Sequence, residues 1–514
     1  MTSPPDIGRG LTVFGVASAA IAALYLGLLG LSTRGQAFFA DGYDGIGFVL
    51  ALTDFDLSRF APQPPGFPLF VLLGRGLHAL LGVTPALAVA LVSALLLPAG
   101  IAALAAVLAA QLGLYAAALF ALLVAPNTLV FGLGVATLSD GAGLGAALIA
   151  LSLAAWALRQ PTRLTWGLAG LACGLAIGVR PHVVTLLVLG LLLLGGLLAR
   201  RGQAPLRPLL WLGLSAGLGT LLWLLPLLSI VGASRFLGLC LAHARGHLGD
   251  FGGGLLVRTP APLPRLGLPH LQALFAAVGP AIGALCLATP VLFVRARSRL
   301  PQSLRLLGAA LLAITLVYVV YVALFARLLG NGRHLLPVPV GLALAIVPLY
   351  AVGLRSGTGR VALLAAVALL ALFSTRQVYA FRQAPAPGAQ LVAGLPDCSA
   401  RLYGAAAARF YDLRCGVGSA QPAIYLGEVL SDLERRSNPP PEVLVTSEVI
   451  ASPGSRSRLR PIARACVAAD VPASLRFFSA PQLPQRAAGS SSSSPSSSGA
   501  EADCAQLLAY RVMP

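Results

Sequence analysis

Apolar runs recur from Leu11 to about Phe381, each roughly 17–25 residues long, the length an α-helix needs to cross a hydrocarbon core. Segments of that kind must satisfy their own backbone hydrogen bonds, so helices are the expected spanning element. The composition agrees, with 57% hydrophobic and 10% charged residues and a mean hydropathy of +0.85; these values belong to a polytopic membrane protein. The formal charge of +19 would suit nucleic acid, but the arginines sit singly or in small groups between apolar runs, as topology signals do. No nucleic-acid partner is therefore expected. Lysine is absent, which excludes Schiff-base chemistry. Only Arg9 precedes the first apolar run and no small-residue cleavage site follows it, so a retained first helix is expected.

The arginines order the topology. Take Leu11–Leu31 as the first span, with Arg9 inside, and treat residues 66–82 as interfacial. Further spans then fall at 84–110, 112–131, 141–158, 164–180, 183–199, 208–232, 271–294, 306–326, 335–353 and 361–380. Arg159 and Arg163, then Arg200, Arg201 and Arg207, then Arg295, Arg297, Arg299 and Arg305, then Arg355 and Arg360 all lie inside. If 66–82 crossed the membrane, all four groups would move to the wrong side. About eleven transmembrane helices are expected, with a cytoplasmic N-terminus and an extracytoplasmic C-terminus.

Acid is concentrated in one place. Residues 38–75 read FFADGYDGIGFVLALTDFDLSRFAPQPPGFPLFVLLGR and hold Asp41, Asp44, Asp54 and Asp56, whereas from there to Asp397 only Asp140 and Asp250 carry a negative charge. An unpaired carboxylate beside a bilayer costs several kcal/mol to desolvate, so a cluster at one face points to chemistry or ion binding. Capping an interfacial helix is an equal reading for Asp56 and a weaker one for Asp44.

The same topology places Asp140 in TLSDGAGLG, Arg180 and His182 in GVRPH, the loop 233–270 with HARGHLGDFGGG, and Arg327, Asn331, Arg333 and His334 on the outer face. Outward arginines run against the positive-inside pattern. Singly they read as side chains snorkelling to headgroups. As a set beside carboxylates they read as an anion site, since guanidinium forks pair bidentately with phosphate oxygens. His243 and His247 have the spacing of a zinc pair on a helix, but Gly246 and the glycine run after it weaken that helix, and no zinc site is expected.

Past Arg382 the apolar runs stop. Pro-rich pieces and short β-prone runs such as EVLVTSEVI indicate a soluble α/β-type domain over 382–514, following a membrane domain over 1–381. The Ser-rich stretch 489–500 reads as a flexible insert. Cys398, Cys415, Cys466 and Cys504 are compatible with two disulfides in an oxidising compartment.

Three blocks carry a resemblance. Asp44-Gly45-Ile46-Gly47-Phe48 is followed by Leu52-Thr53-Asp54-Phe55-Asp56 and by Pro62-Gln63-Pro64-Pro65-Gly66-Phe67-Pro68-Leu69. Together they resemble bacterial GT-C glycosyltransferases akin to protein O-mannosyltransferases and the lipid A aminoarabinose transferase, which have an acidic first loop followed by H-P-P-G-Y-P-L. Gln63 stands where many have histidine and Phe67 where many have tyrosine. Asp140 resembles the second acidic residue of that group, and Arg333-His334-Leu335-Leu336-Pro337 its late R-[YH]-x-x-P element. The tail has no such likeness.

The resemblance implies an all-α polytopic membrane domain of GT-C type with a small C-terminal extracytoplasmic α/β-type domain. It implies transfer, with inversion, of a sugar from a polyprenyl-monophosphate donor to an extracytoplasmic acceptor that is a protein, lipid or glycan. Asp44 would be the base that takes the acceptor's proton, with Asp41 second. Asp140 would orient the acceptor or help hold a metal. Arg333, His334, Arg180 and His247 would face the donor phosphate. A divalent metal, Mg or Mn, is left open. A transporter or flippase for an anionic lipid-linked substrate is the alternative, but the acids cluster at one face and no second half repeats the first. The Arg/Ala/Leu/Gly-rich composition suits a bacterial inner membrane.

Overall fold

The computed structural model describes residues 7–32, 42–200, 206–246, 268–296, 301–325, 332–354, 356–383 and parts of 391–512. In order, the helices are α1 (Ile7–Ser32), α2 (Gly42–Ala51), α3 (Pro68–Leu81), α4 (Pro85–Leu112), α5 (Leu114–Val124), α6 (Thr128–Gly134), α7 (Ser139–Ala157) and α8 (Arg163–Val179). There follow α9 (Val184–Arg200), α10 (Leu206–Val231), α11 (Ala233–Gly246), α12 (Leu268–Ala296), α13 (Gln302–Phe325), α14 (Pro337–Gly353) and α15 (Gly357–Gln383). Among the described residues, 8 helices are long and apolar enough to cross a membrane, or 9 if the bent pair α5–α6 is one span. With 17 residues each, α8 and α9 sit at the lower limit for spanning. The protein is a multi-pass membrane protein with an all-helical membrane part.

The segment expected at the interface forms α3, of 14 residues. Pro68 starts it, where a missing N–H costs nothing, and Gly82 ends it in the left-handed conformation. One face buries Phe70, Val71 and Gly74, while Leu72, Leu73, Leu80 and Leu81 stay exposed. That two-sidedness suits a helix lying along an interface.

Close packing in the bundle rests on small residues. Gly100 of α4 meets the backbone of Gly145 on α7, and Gly174 of α8 meets Ala216 and Gly219 of α10. Without a large hydrophobic gain between helices in lipid, such backbone approach is what holds them. Trp223 lies against Gly178 and donates from Nε1 to the Gly174 carbonyl at 3.0 Å.

Two helices depart from straight spans. Residues 112–131, expected as one span, are two helices bent by 75°. Pro126 has no N–H to continue the first, and Asn127 caps the second by accepting from Leu129 and Val130 N–H at 3.1 and 3.2 Å. Within α12, Gly279 has φ +75° and Pro280 follows, so the carbonyls before them lose their helical partners. The Asn127 amide donates to two of those, Val278 at 2.9 Å and Ala277 at 3.3 Å. One side chain thus satisfies the backbone groups freed at both breaks, as a low-dielectric surrounding requires.

In the C-terminal part, five strands form one mixed sheet in the order β2-β1-β3-β5-β4. They are β1 (Arg401–Gly404), β2 (Ala420–Pro422), β3 (Val443–Thr446), β4 (Leu459–Val467) and β5 (Ala505–Val512). The first three pair in parallel; β5 runs antiparallel to both β3 and β4. Tyr403, Val429 and Val445 form a small core on it. Cys398 and Cys415 form a disulfide. Cys504 and the Ser-rich insert lie outside the described residues.

Candidate active site

Two arginine–aspartate pairs, contributed by four separate stretches of chain, lie at one end of the bundle. Ser139 and Asp140 open α7, where the helix N-terminus favours a carboxylate. Arg180 ends α8 because Pro181 follows it, and its backbone is extended (φ −153°, ψ 109°), as a residue before proline prefers. Its side chain crosses to α7. Nη2 lies 2.8 Å from Asp140 Oδ1 and Nη1 donates to Oδ2 at 3.0 Å, a bidentate pair, while Nη1 also donates to Ser139 Oγ at 2.8 Å. Both residues are buried, Asp140 with 4% and Arg180 with 8% of its surface exposed. The stem of Arg180 lies in a notch at Gly143, one helical turn beyond Asp140.

The second pair joins Asp44, in the first turn of α2, to Arg333, in the 3-10 turn Gly332–Leu335 that leads into α14. Arg333 Nη2 donates to Asp44 Oδ2. This pair is more open, with side-chain exposures of 23% for Asp44 and 20% for Arg333. Burial pushes the Asp44 carboxyl up, but the charge and hydrogen bond of Arg333, with Arg180 and His243 farther away, outweigh it and hold the carboxyl below its ordinary range.

Aromatic residues fill the space between the pairs. The Arg180 guanidinium lies 5.9 Å from the centre of the Phe67 ring, and Phe67 meets Phe48, one turn beyond Asp44, edge-on at 5.0 Å. Phe67 and Phe60 both adopt the left-handed conformation (φ 47° and 57°), and Gly66 has φ 102°. The QPPGFP stretch is therefore a tightly folded loop that sets Phe67 beneath Arg180. His334 stands next to Arg333, its ring 6.4 Å from that of His182, and its carbonyl accepts from the Tyr318 hydroxyl at 3.0 Å.

The structure thus brings together Asp44, Asp140, Arg180, Arg333 and His334. Asp41 and His247 lie outside the described residues. His243, on α11, faces the Phe60 ring at 5.9 Å. Asp56 is a cap: it accepts from the Ser58 N–H at 2.8 Å and the Ser58 hydroxyl at 2.6 Å, starting the turn Leu57–Arg59. Arg235 of α11 reaches the same place, 3.8 Å from Asp56 and donating to Ser58 Oγ at 3.1 Å. Asp54 faces Arg59 at 3.7 Å on the surface. Ser139, Gly143, Phe67 and Tyr318 complete the site. Of these four, Phe67 stands in the Pro62–Leu69 block and Ser139 and Gly143 in the TLSDGAGLG stretch, whereas nothing in the sequence marked Tyr318.

Among the described residues, no group of three or more His, Cys, Asp or Glu is placed to share a metal ion. Both carboxylates of the site face a guanidinium, Asp140 through both oxygens and Asp44 through one.

No family model and no curated protein matches the sequence. Among solved structures, ArnT from Cupriavidus metallidurans bound to undecaprenyl phosphate superposes with a TM-score of 0.56 at 13% identity, over 88% of this chain and 96% of that one. The apo state of the same protein gives 0.50 at 14% identity, over the same shares of the two chains. ArnT is a GT-C lipid A aminoarabinose transferase. At this identity the likeness concerns the fold, and it extends over nearly the whole length of both chains. The membrane part of this protein has the fold of these two structures.

Proposed function

We propose that the protein is a membrane glycosyltransferase that moves a sugar from a polyprenyl-monophosphate donor to an acceptor hydroxyl, with inversion at the anomeric carbon. The observation that carries this reading is the pairing of Asp44 with Arg333, partly open and set at one end of a GT-C fold. A carboxylate and a cation side by side suit a reaction in which one oxygen loses a proton while another gains negative charge.

In the transfer, the acceptor oxygen attacks C1 of the sugar and forms the new glycosidic bond. Asp44 takes the acceptor's proton. The bond from C1 to the phosphate oxygen breaks, and its electron pair stays on the leaving polyprenyl phosphate. Arg333 and His334 face that developing charge as donors. Arg180, held by Asp140, adds its field from farther away. Asp140 acts through Arg180 and does not meet the acceptor. No step is assigned to a divalent metal. In this reading the site end of the bundle faces the extracytoplasmic side, as the arginine distribution along the sequence supports, with the acceptor and the C-terminal domain on that side. A reporter fused after Arg382 is expected to score extracytoplasmic.

The test is turnover of a panel of labelled polyprenyl-monophosphate sugars by the purified full chain. Wild type is expected to release polyprenyl phosphate from one of them in the presence of acceptor extract. Asp44→Asn is expected to lose turnover by about 100-fold or more, the scale of a lost general base. An Asp44→Asn protein that kept most of the turnover would remove Asp44 from the chemistry.

A further inference from the structure

The two ion pairs are built differently, and the difference has a functional consequence. Arg180 is fixed: two bonds to Asp140, one to Ser139, the Gly143 notch around its stem and the Phe67 ring beside it leave it nowhere else to go. The Asp44–Arg333 pair is a single contact, one oxygen of Asp44 to one nitrogen of Arg333, in a more open position. Among the described residues that is the only hydrogen bond or ion pair Asp44 makes. Arg333 also sits on a short 3-10 turn, not within a packed helix.

We infer that the donor's phosphate competes with Asp44 for Arg333, so that donor binding exchanges one ion pair for another and releases the base. This inference rests on the transferase reading above. The donor's phosphodiester carries one negative charge, as a carboxylate does, but offers two free oxygens for the two prongs of a guanidinium, whereas Asp44 presents one oxygen end-on. Once Arg333 turns to the phosphate, Asp44 loses its counter-ion and gains an anion as neighbour. Both changes favour proton uptake by its carboxylate. Asp44 then becomes the stronger base at the moment when a donor is present to be attacked. In the empty site it is masked, which guards against spending its basicity on water.

Competition has a sign that simple positioning lacks. If Asp44 only held Arg333 in place for the phosphate, removing its charge would weaken phosphate binding. If the two compete, removing it strengthens binding.

The experiment measures binding of undecaprenyl phosphate in detergent to the purified full chain, by native mass spectrometry or thermophoresis. Wild type, Asp44→Asn, Asp44→Ala and Arg333→Ala are compared, each first checked for a monodisperse profile and a wild-type-like melting temperature. Asp44→Asn and Asp44→Ala are expected to bind about fivefold tighter than wild type, the fold-change that a partly exposed ion pair is worth. Arg333→Ala is expected to bind more weakly than wild type. Equal or weaker binding by both Asp44 variants, with wild-type binding intact, overturns the competition alone and leaves the transferase reading standing. Absence of binding by wild type overturns the transferase reading and the competition with it.

Discussion

Gly143 and Arg180 occupy one space between them: a Cβ on Gly143 would stand 2.6 Å from Cβ of Arg180 and 2.8 Å from its Cδ. The arginine crosses α7 where the helix has no side chain, and from there its guanidinium reaches back one turn to Asp140. A glycine inside a helix costs roughly 0.5–1 kcal/mol relative to alanine, and here the gain is a seat for a buried cation. Gly143→Ala is therefore expected to destabilise the protein despite its better helix propensity, by about 1–3 kcal/mol, the range for overpacking. A thermal melt of the purified variant reads this directly, and an unchanged or higher melting temperature would mean that Arg180 can lie elsewhere.

The Asp140–Arg180 pair should show strong non-additivity. Removing one partner leaves the other charged and buried, at a cost of about 3–5 kcal/mol, whereas replacing both with apolar residues of similar volume is far cheaper. Asp140→Leu and Arg180→Met are each expected to lower the melting temperature sharply, and the double variant to recover most of the loss. Additive losses would show that the pair is not a unit.

Asp44 links acid stability to the site. Its folded-state carboxyl lies below the ordinary range, so the contribution of the pair is complete above the unfolded value near pH 4 and is lost as pH falls through the lower folded value. Melting temperature is expected to fall below about pH 4 more steeply in wild type than in Asp44→Asn. The groups acting on Asp44 are Arg333, Arg180 and His243. For turnover, the acidic limb of kcat should lie at higher pH than that of kcat/KM, because the first reports the enzyme with donor bound and the second the free enzyme. Coincident limbs would mean that donor leaves the Asp44–Arg333 pair as it was.

Asn127 closes four backbone groups at two helix breaks. Asn127→Leu, close to it in size, strands these in the interior and is expected to cost about 2–4 kcal/mol, several times a typical surface substitution. Asn127→Asp restores the cap but not the bonds to Ala277 and Val278, so it should fall between wild type and leucine. Chemical denaturation in mild detergent would rank the three.

The straight parts of the fold were legible because hydropathy counts composition over a window. The expected spans 84–110 and 141–158 became Pro85–Leu112 and Ser139–Ala157. Direction is invisible to such a count, so the 75° bend after Val124 escaped it, although Pro126 and Asn127 were there to be read as a stop and a cap. The site was legible as a set of charges on one face. Which carboxylate meets which arginine was not, since Asp140 and Arg180 lie 40 residues apart and Asp44 and Arg333 lie 289 apart. Asp56 could be read either way, and Ser58 two residues later decided it as a cap. In the tail the run EVLVTSEVI holds β3, whereas β1, β2, β4 and β5 are poor in β-branched residues and the strand order depends on crossovers that local composition does not encode.

The four charges of the site cancel in pairs over short distances, so seen from afar they form two dipoles whose field dies away more quickly than that of a lone charge. A phosphate drifting in open water would feel little pull from them. A molecule anchored in the bilayer by a long hydrocarbon tail needs none, because its search is confined to two dimensions and its headgroup is held at the right depth. Capture by this site should then depend on the surface density of lipid carrier in the leaflet and respond weakly to ionic strength, unlike an enzyme that gathers a soluble phosphorylated substrate through a net positive funnel.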